Sequence, residues 1–279
     1  MRGGLGAAWR SLPLLARLAA VVLALAFAGA VAAAVLPGDA ATRIDLSRRL
    51  LSPRLAPPLG TDELGRDLLA RLFFGSAISL GVAVSAVALS AALGSALGLL
   101  AGERGGLLDR ATGRLVDLVL AFPGLLLAVA LAAVLGPSAR NTVVALTATG
   151  WVPYARLARA EARRIATLDF VAAARASGAP VSRVLLRHVL PNAAAPLAVQ
   201  ATLHLAGAIL AESALSFLGL GVPPPSPSWG VMLAAGRTHL LDAPHAVIVP
   251  AVALFVVVLS TNLLGDALVA RLASRGGRV

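Results

Sequence analysis

An all-α, polytopic membrane protein with six transmembrane helices is the fold class that this sequence predicts, and three observations carry the prediction. Of its 279 residues 58% are hydrophobic and 13% charged, with a mean hydropathy of +0.87, which leaves too little polar surface for a soluble globule. Apolar runs close to the roughly 20 residues that cross a bilayer as a helix alternate with short arginine-bearing segments. One stretch, TLDFVAAARASGAPVSRVLLRHVLPN over residues 167–192, breaks the alternation, because four charged residues, Gly178 and Pro180 keep it out of the bilayer.

The first run, residues 18–36, follows Arg2, Arg10 and Arg17. It is read as a retained span because it is longer than a signal-peptide core, with Ala28-Gly29-Ala30 as the cleavage site on the alternative reading. From residue 37 to 74 the chain turns polar, and Pro53, Pro57 and Pro58 discourage long helix there. Within that segment Asp62, Glu63, Arg66 and Asp67 suit either a solvated, self-paired helix start or the shaping of an outer mouth. The second span, 76–101, leads into a stripe of Gly94, Gly98 and Gly102 that lets another backbone approach closely.

Residues 103–114 read as a short loop with three arginines. The third span, 115–135, holds Pro123, which predicts a kink near Phe122-Pro123. Its one charge, Asp117, is placed at the membrane interface. The fourth span, 141–157, is the least apolar, and Trp151 and Tyr154 near its arginine-rich end suit the headgroup region.

The segment 167–192 then reads as two short helices with a break. Thr167 is expected to cap the first through its hydroxyl, Asp169 lies in the first turn, and Gly178 ends it in a left-handed conformation. Pro180 suits the start of the second helix. There Val181, Val184, Leu185 and His188 share a face, Arg183 and Arg187 lie on another, and Pro191 ends the run. A compact basic bracket between two spans is a docking surface for something in the cytoplasm.

The fifth span is 193–211 and the sixth 245–264, with Pro250 as a second kink candidate. Gln200 and His204 share a face and Glu212 follows. Their spacing makes poor metal-ligand geometry, and groups lining a wet path or tying helices are the better reading. Between these spans ALSFLGLGVPPPSPSWGVMLAAG, residues 214–236, reads from its prolines and Trp229 as an ordered loop at the membrane surface.

Composition excludes several classes. Without cysteine there are no disulfides or thiolate metal sites. All 24 basic residues are arginine, so the lysine of a phosphate-cradling loop is missing and ATP hydrolysis falls to another polypeptide. The net charge of +11 is spread over loops and few aromatics accompany it, so it sets membrane orientation rather than binding nucleic acid. With the N-terminus inside, 16 arginines face the cytoplasm and eight the exterior, which favours cytoplasmic N- and C-termini.

Residues 170–192 resemble the cytoplasmic coupling loop of binding-protein-dependent ABC importer permeases, whose pattern is Glu-Ala-Ala, three residues, Gly, then a longer gap to an apolar residue and Leu-Pro. Ala173, Ala174, Gly178, Leu190 and Pro191 match it, while Ala172 stands at the Glu position. In the family that Glu is expected to help hold the loop against the ATPase. The resemblance thus assigns Ala172, Ala173, Ala174, Arg175, Gly178, Leu190 and Pro191 to ATPase coupling. Residues 59–80 are similar to the segment entering the second span in the dipeptide, oligopeptide and nickel branch of that family. Residues 214–236 closely resemble that branch's outer hairpin, carried here by Phe217, Gly219, Gly221, Pro224, Pro227, Trp229 and Gly230.

The resemblance implies a type I ABC importer permease fold in the bacterial cytoplasmic (inner) membrane. An N-terminal helix and outer segment would occupy residues 1–75 and a permease core 76–272, with coupling loop 161–192, outer hairpin 212–244 and cytoplasmic tail 273–279. It implies a second permease subunit, two cytoplasmic ATPase subunits that hold ATP and magnesium, an extracytoplasmic solute-binding protein, and no cofactor in this chain. Short peptides are the first choice of solute, with nickel or another small solute next. Two other classes are weighed. A transporter driven by an ion gradient needs ionisable groups in mid-span, but Arg17, Asp117, Glu212 and Asp266 fall near span ends and leave mainly His204. An intramembrane hydrolase would draw on Ser213, Ser216 and His204, yet no Gly-x-Ser-x-Gly elbow surrounds either serine.

Overall fold

The computed structural model describes residues 13–33 and 39–276, with side chains to Arg271; Arg2, Arg10, the last three residues of the first expected span and residues 277–279 of the tail lie outside the described residues. Ten helices follow one another, and no strand occurs among the described residues. Helix α1 is Leu14–Ala33, α2 Leu68–Arg104, α3 Gly106–Leu120, α4 Gly124–Leu135 and α5 Ala139–Ala166. Two short helices, α6 at Asp169–Ala176 and α7 at Val181–Val184, lead through a π-turn at Leu185–Val189 into α8, Leu190–Phe217. Helix α9, Trp229–Gly236, and α10, His245–Gly276, complete the chain.

Among the described residues four helical segments are long and apolar enough to cross a membrane: α1, α2, the rod Val181–Phe217 and His245–Arg271; the α3–α4 pair, bent by 85°, makes a fifth. The expected fourth span lies in α5, whose 28 residues include five arginines, so composition alone does not set it beside the others.

Helix α2 is the axis of the bundle. At 37 residues it is about 55 Å long, well beyond the roughly 30 Å hydrocarbon core. It begins earlier than the second span was expected to, because the Asp67 carboxylate accepts from the Leu69 and Ala70 N–H groups and nucleates the helix through the polar end of the outer segment. Its glycine stripe lies against α5: a Cβ on Gly94, Gly98 or Gly102 would meet the Trp151, Ala155 or Arg159 carbonyl oxygen at 2.2, 2.3 or 2.6 Å. Only Gly permits that approach.

The expected loop 103–114 is instead a sharp turn into α3. Gly105 and Gly106, at φ of +65° and +60°, compress the connection to about one residue, and Arg110 and Arg114 ride on the helix. At Pro123 the structure shows a full break rather than a kink in one helix. Tyr154, expected at the headgroups, is fully buried, and its hydroxyl lies 3.1 Å from His204 Nδ1. The outer segment is held by a buried knot, not a solvated helix start. Asp62 pairs with Arg66 at 2.7 Å and with Arg71 at 3.3 Å, and Arg71 Nη1 donates to the Ala41 carbonyl at 3.1 Å. Sequence reading missed Arg71 because nothing local marks an arginine inside a helix as the anchor of a loop 30 residues earlier.

Gly98→Ala is expected to lower stability by about 1–3 kcal/mol through overpacking of α2 on α5. Gly113→Ala, whose Cβ would meet only the Arg159 guanidinium at 3.6 Å, should be near neutral; thermal unfolding of the two variants in detergent makes the comparison.

Candidate functional site

The bracket is built from the inner ends of α5 and α8. Helix α5 stops at Thr167, whose hydroxyl donates back to the Arg164 carbonyl at 2.8 Å. It is therefore not the expected N-cap of α6; Leu168 holds that position without a side-chain bond. The C-terminus of α6 is as the sequence suggests. Gly178 sits at φ +79°, its N–H donates to Arg175 O at 2.9 Å, and Ala179 N–H donates to Ala174 O at 3.1 Å, the two bonds of a Schellman stop. Pro180, at φ −67°, caps α7, and its carbonyl accepts from the Arg183 and Val184 N–H groups.

Pro191 does not end the run. The chain passes through it into α8 as one helical rod, because the preceding turn widens: Leu190 N–H donates to Leu185 O, five residues back. The extra residue also moves the buried face. Val184, Leu185, Val189, Ala193 and Leu197 are buried, while Val181 is exposed and His188 only half-buried. A strict 3.6-residue period cannot anticipate that shift. The buried face joins Leu99 of α2, Ala158, Ala162 and Ile165 of α5 and Val171 of α6 in one inner core. Bracket and bundle end are thus a single packed body.

What the bracket shows to solvent is small. Ala172, Ala173, Arg175, Ala176, Ser177, Gly178, Leu190 and Pro191 are exposed, Ala174 is half-buried, and a Cβ on Gly178 would meet nothing within 4 Å. Two ion clusters tie the bracket's surroundings together. Arg175 Nη2 donates to Glu103 Oε1 at 2.7 Å, joining α6 to the end of α2, while Glu103 Oε2 is buried and has no hydrogen-bond partner among the described residues. Asp109 of α3 accepts from both Arg159 and Arg163 of α5. The sequence offered the Ala172 departure but not this pairing, since Glu103 and Arg175 are 72 residues apart.

At the opposite end the hairpin is more buried than expected. Pro223, Pro224 and Pro225 are exposed, but Pro227, Ser228, Trp229 and Gly230 are buried, because the anchoring bonds point inward. Trp229 N–H donates to Ser79 Oγ at 3.1 Å and its indole Nε1 to the Leu72 carbonyl at 3.3 Å. Gly219, at φ +79°, ends α8, with Leu220 N–H on Leu215 O. Cβ atoms on Gly221 and Gly230 would fall 2.1 Å from Ser216 Oγ and 2.3 Å from the Ser213 carbonyl. Phe217 is half-buried under the Arg237 guanidinium, 5.2 Å from its ring centre.

Glu212 is completely buried beneath this hairpin. Ser216 and Ser213 hydroxyls donate to its carboxylate at 2.8 and 3.3 Å, and Ser79 and Ser228 face the same group. The structure therefore parts the groups that sequence set together. His204 goes with Tyr154, Glu212 with serines, and the two serines serve the carboxylate rather than the imidazole.

A helical bundle with apolar helices of span length, a basic bracket packed under one end and an anchored hairpin in the other has the build of a membrane transport subunit. The chain belongs to the family of binding-protein-dependent transport system inner membrane components, whose model matches residues 94–275. Curated relatives agree with that family. The chain is 48% identical to the di/tripeptide transport system permease protein DppC of Pseudomonas aeruginosa over 210 residues, 75% of this chain and 69% of that one. It is 39% identical to a dipeptide transport system permease protein of Alkalihalophilus pseudofirmus over 86% of this chain and 79% of that one. It is also 39% identical to a glutathione transport system permease protein of Pectobacterium atrosepticum, over 84% and 78%.

Arg175→Ala is expected to cost about 1–3 kcal/mol, since it strands a buried carboxylate. The Glu103→Gln, Arg175→Ala pair should cost less than the sum of the two single changes. Denaturation of the four proteins in detergent, read as a double-mutant cycle, measures the difference.

Proposed function

We propose that this chain is one permease subunit of an ATP-driven importer of short peptides in the bacterial cytoplasmic membrane. It forms half of the path beside a distinct second permease. Two cytoplasmic ATPase subunits bind beneath, with ATP and magnesium, and an external binding protein delivers the solute. The family match supports the class, and the relatives named for di- and tripeptide, dipeptide and glutathione transport support the solute. The chain crosses the bilayer six times, with α5 as the polar span, both termini inside, the bracket facing the ATPases and the proline hairpin outside.

The observation that carries this reading is the bracket itself, a stopped and exposed helix pair whose buried face is continuous with the inner core of the bundle. A push on such a body reaches the spans without being absorbed in a loose loop. ATP binding closes the ATPase pair and moves each bracket as a rigid unit, and the spans shift between inward- and outward-open arrangements. The missing loop glutamate is offset within the chain by the Arg175–Glu103 bond, which fixes α6 to α2. An ion-gradient mechanism has no comparable support.

Gly178→Asp tests the reading. The open space at Gly178 admits the side chain, so only the left-handed backbone, roughly 1–2 kcal/mol, and a new charge on the exposed turn are at stake. The complex should purify with its ATPases yet import no peptide into proteoliposomes. Uptake at the normal rate would remove the bracket from the coupling path.

A further inference from the structure

The break between α3 and α4 lies beside two charged side chains, Asp117 and Arg156, that make no hydrogen bond or close ion pair among the described residues. Helix α3 runs along α5, with Val116 packed on Val152 and Ala155 and with Asp109 held by Arg159 and Arg163. Beside this contact are two adjoining hollows of about 270 and 420 Å³ that share Leu120 and Arg156. Asp117 and Arg159 line the first. Arg159 is bonded to Asp109 and lies within electrostatic reach of Asp117, whereas neither Asp117 nor Arg156 takes part in a hydrogen bond or ion pair among the described residues. Both are exposed.

A helix broken at membrane depth is tolerated only where protein or water covers the freed backbone, not where lipid does. Ionisable side chains within a bundle face water-filled routes and mark the way of the solute. Asp117 and Arg156 do not pair with each other, and so offer an anion and an uncommitted cation in a hollow that the Asp109-bound Arg159 also lines. Thr112 and Arg159 add polar groups to that hollow, whereas apart from Arg156 the adjoining one is walled by the apolar Leu120, Val152, Pro153 and Leu157.

We propose that this trough is a transit site for the zwitterionic ends of a short peptide, with Asp117 receiving the terminal ammonium and Arg156 the terminal carboxylate. The proposal rests on the peptide-importer reading and adds residues that meet the solute along its path. Both ends of any free di- or tripeptide carry these charges, and the apolar walls accept side chains without reading them. The site is therefore selective for free termini and tolerant of sequence. It lies about one helical turn from Arg159 on α5 and about two from Asp109 on α3, in the half of the path nearer the bracket, so it acts late in passage.

The chain has no cysteine, so Leu120→Cys gives this subunit a single reporter. In the purified complex of all membrane and ATPase subunits, without binding protein, a cationic methanethiosulfonate should label it, as mass spectrometry of this chain will show. Dialanine should slow labelling, whereas dialanine blocked at both ends should not. Adding Arg156→Gln or Asp117→Asn should raise the dialanine concentration for half-protection about tenfold or more, as loss of one charged hydrogen bond does; Arg156→Lys should retain much of it. Absence of labelling, equal protection by free and blocked peptide, indifference to both substitutions, or a complex that falls apart on neutralising either charge would each overturn the proposal. A complex that imports dialanine into vesicles but shows no protection sinks the trough alone. One that imports no peptide sinks the importer reading.

Discussion

The close approach of α2 and α5 is the constraint on which the rest of the structure depends. Three glycines one turn apart bring the α5 carbonyls Trp151, Ala155 and Arg159 within reach of the α2 backbone. In lipid, where side-chain burial gains little, such contact is what holds helices together. It also draws an arginine-rich helix into the bundle, since α5 is clamped along its polar half by the very stripe that excludes side chains. The inner core of Leu99, Ala158, Ala162 and Ile165 grows from this seam, and the bracket packs on that core. Without the seam there would be no fixed surface for the bracket to press against.

Polar anchors then finish each end of the molecule. At the hairpin end, Asp62 holds Arg66 and Arg71, Glu212 holds the serines around the hairpin, and the Trp229 backbone rests on Ser79. At the bracket end, Asp109 and Glu103 bind the arginines of α5 and α6. Each is a carboxylate removed from bulk water and compensated by donors from another segment or another turn, so each ties elements that apolar contact alone would let slide. Asp117 and Arg156, beside the break between α3 and α4, take no part in such a bond among the described residues.

Much of the fold was legible because its signals are local. Apolar runs, the left-handed glycine at 178, the prolines at 123 and 180 and the glycine stripe each act within a few residues and need no tertiary context. The recurring pattern at 172–191 and the hairpin at 214–236 carried the family. What escaped was non-local or depended on register. The Arg175–Glu103 bond and the Arg71 anchor join residues far apart in the chain. The burial of Trp229 follows from acceptors on α2, not from its own neighbours. Thr167 looked like a cap because its hydroxyl can serve either direction, and the preceding helix claimed it. The wide turn at 185–189 changed the apolar face, since a period of 3.6 assumes a helix without insertions.

That wide turn has a mechanical consequence. From Val181 to Phe217 the chain is one uninterrupted rod of 37 residues, with the bracket at its foot and the Glu212 knot near its head. A crankshaft with a single compliant collar transmits torque along its whole length. Twist applied below Leu185 is thus delivered either to the collar, by shedding its surplus residue, or to the serines that seat the outer hairpin, and no loop between them can dissipate it.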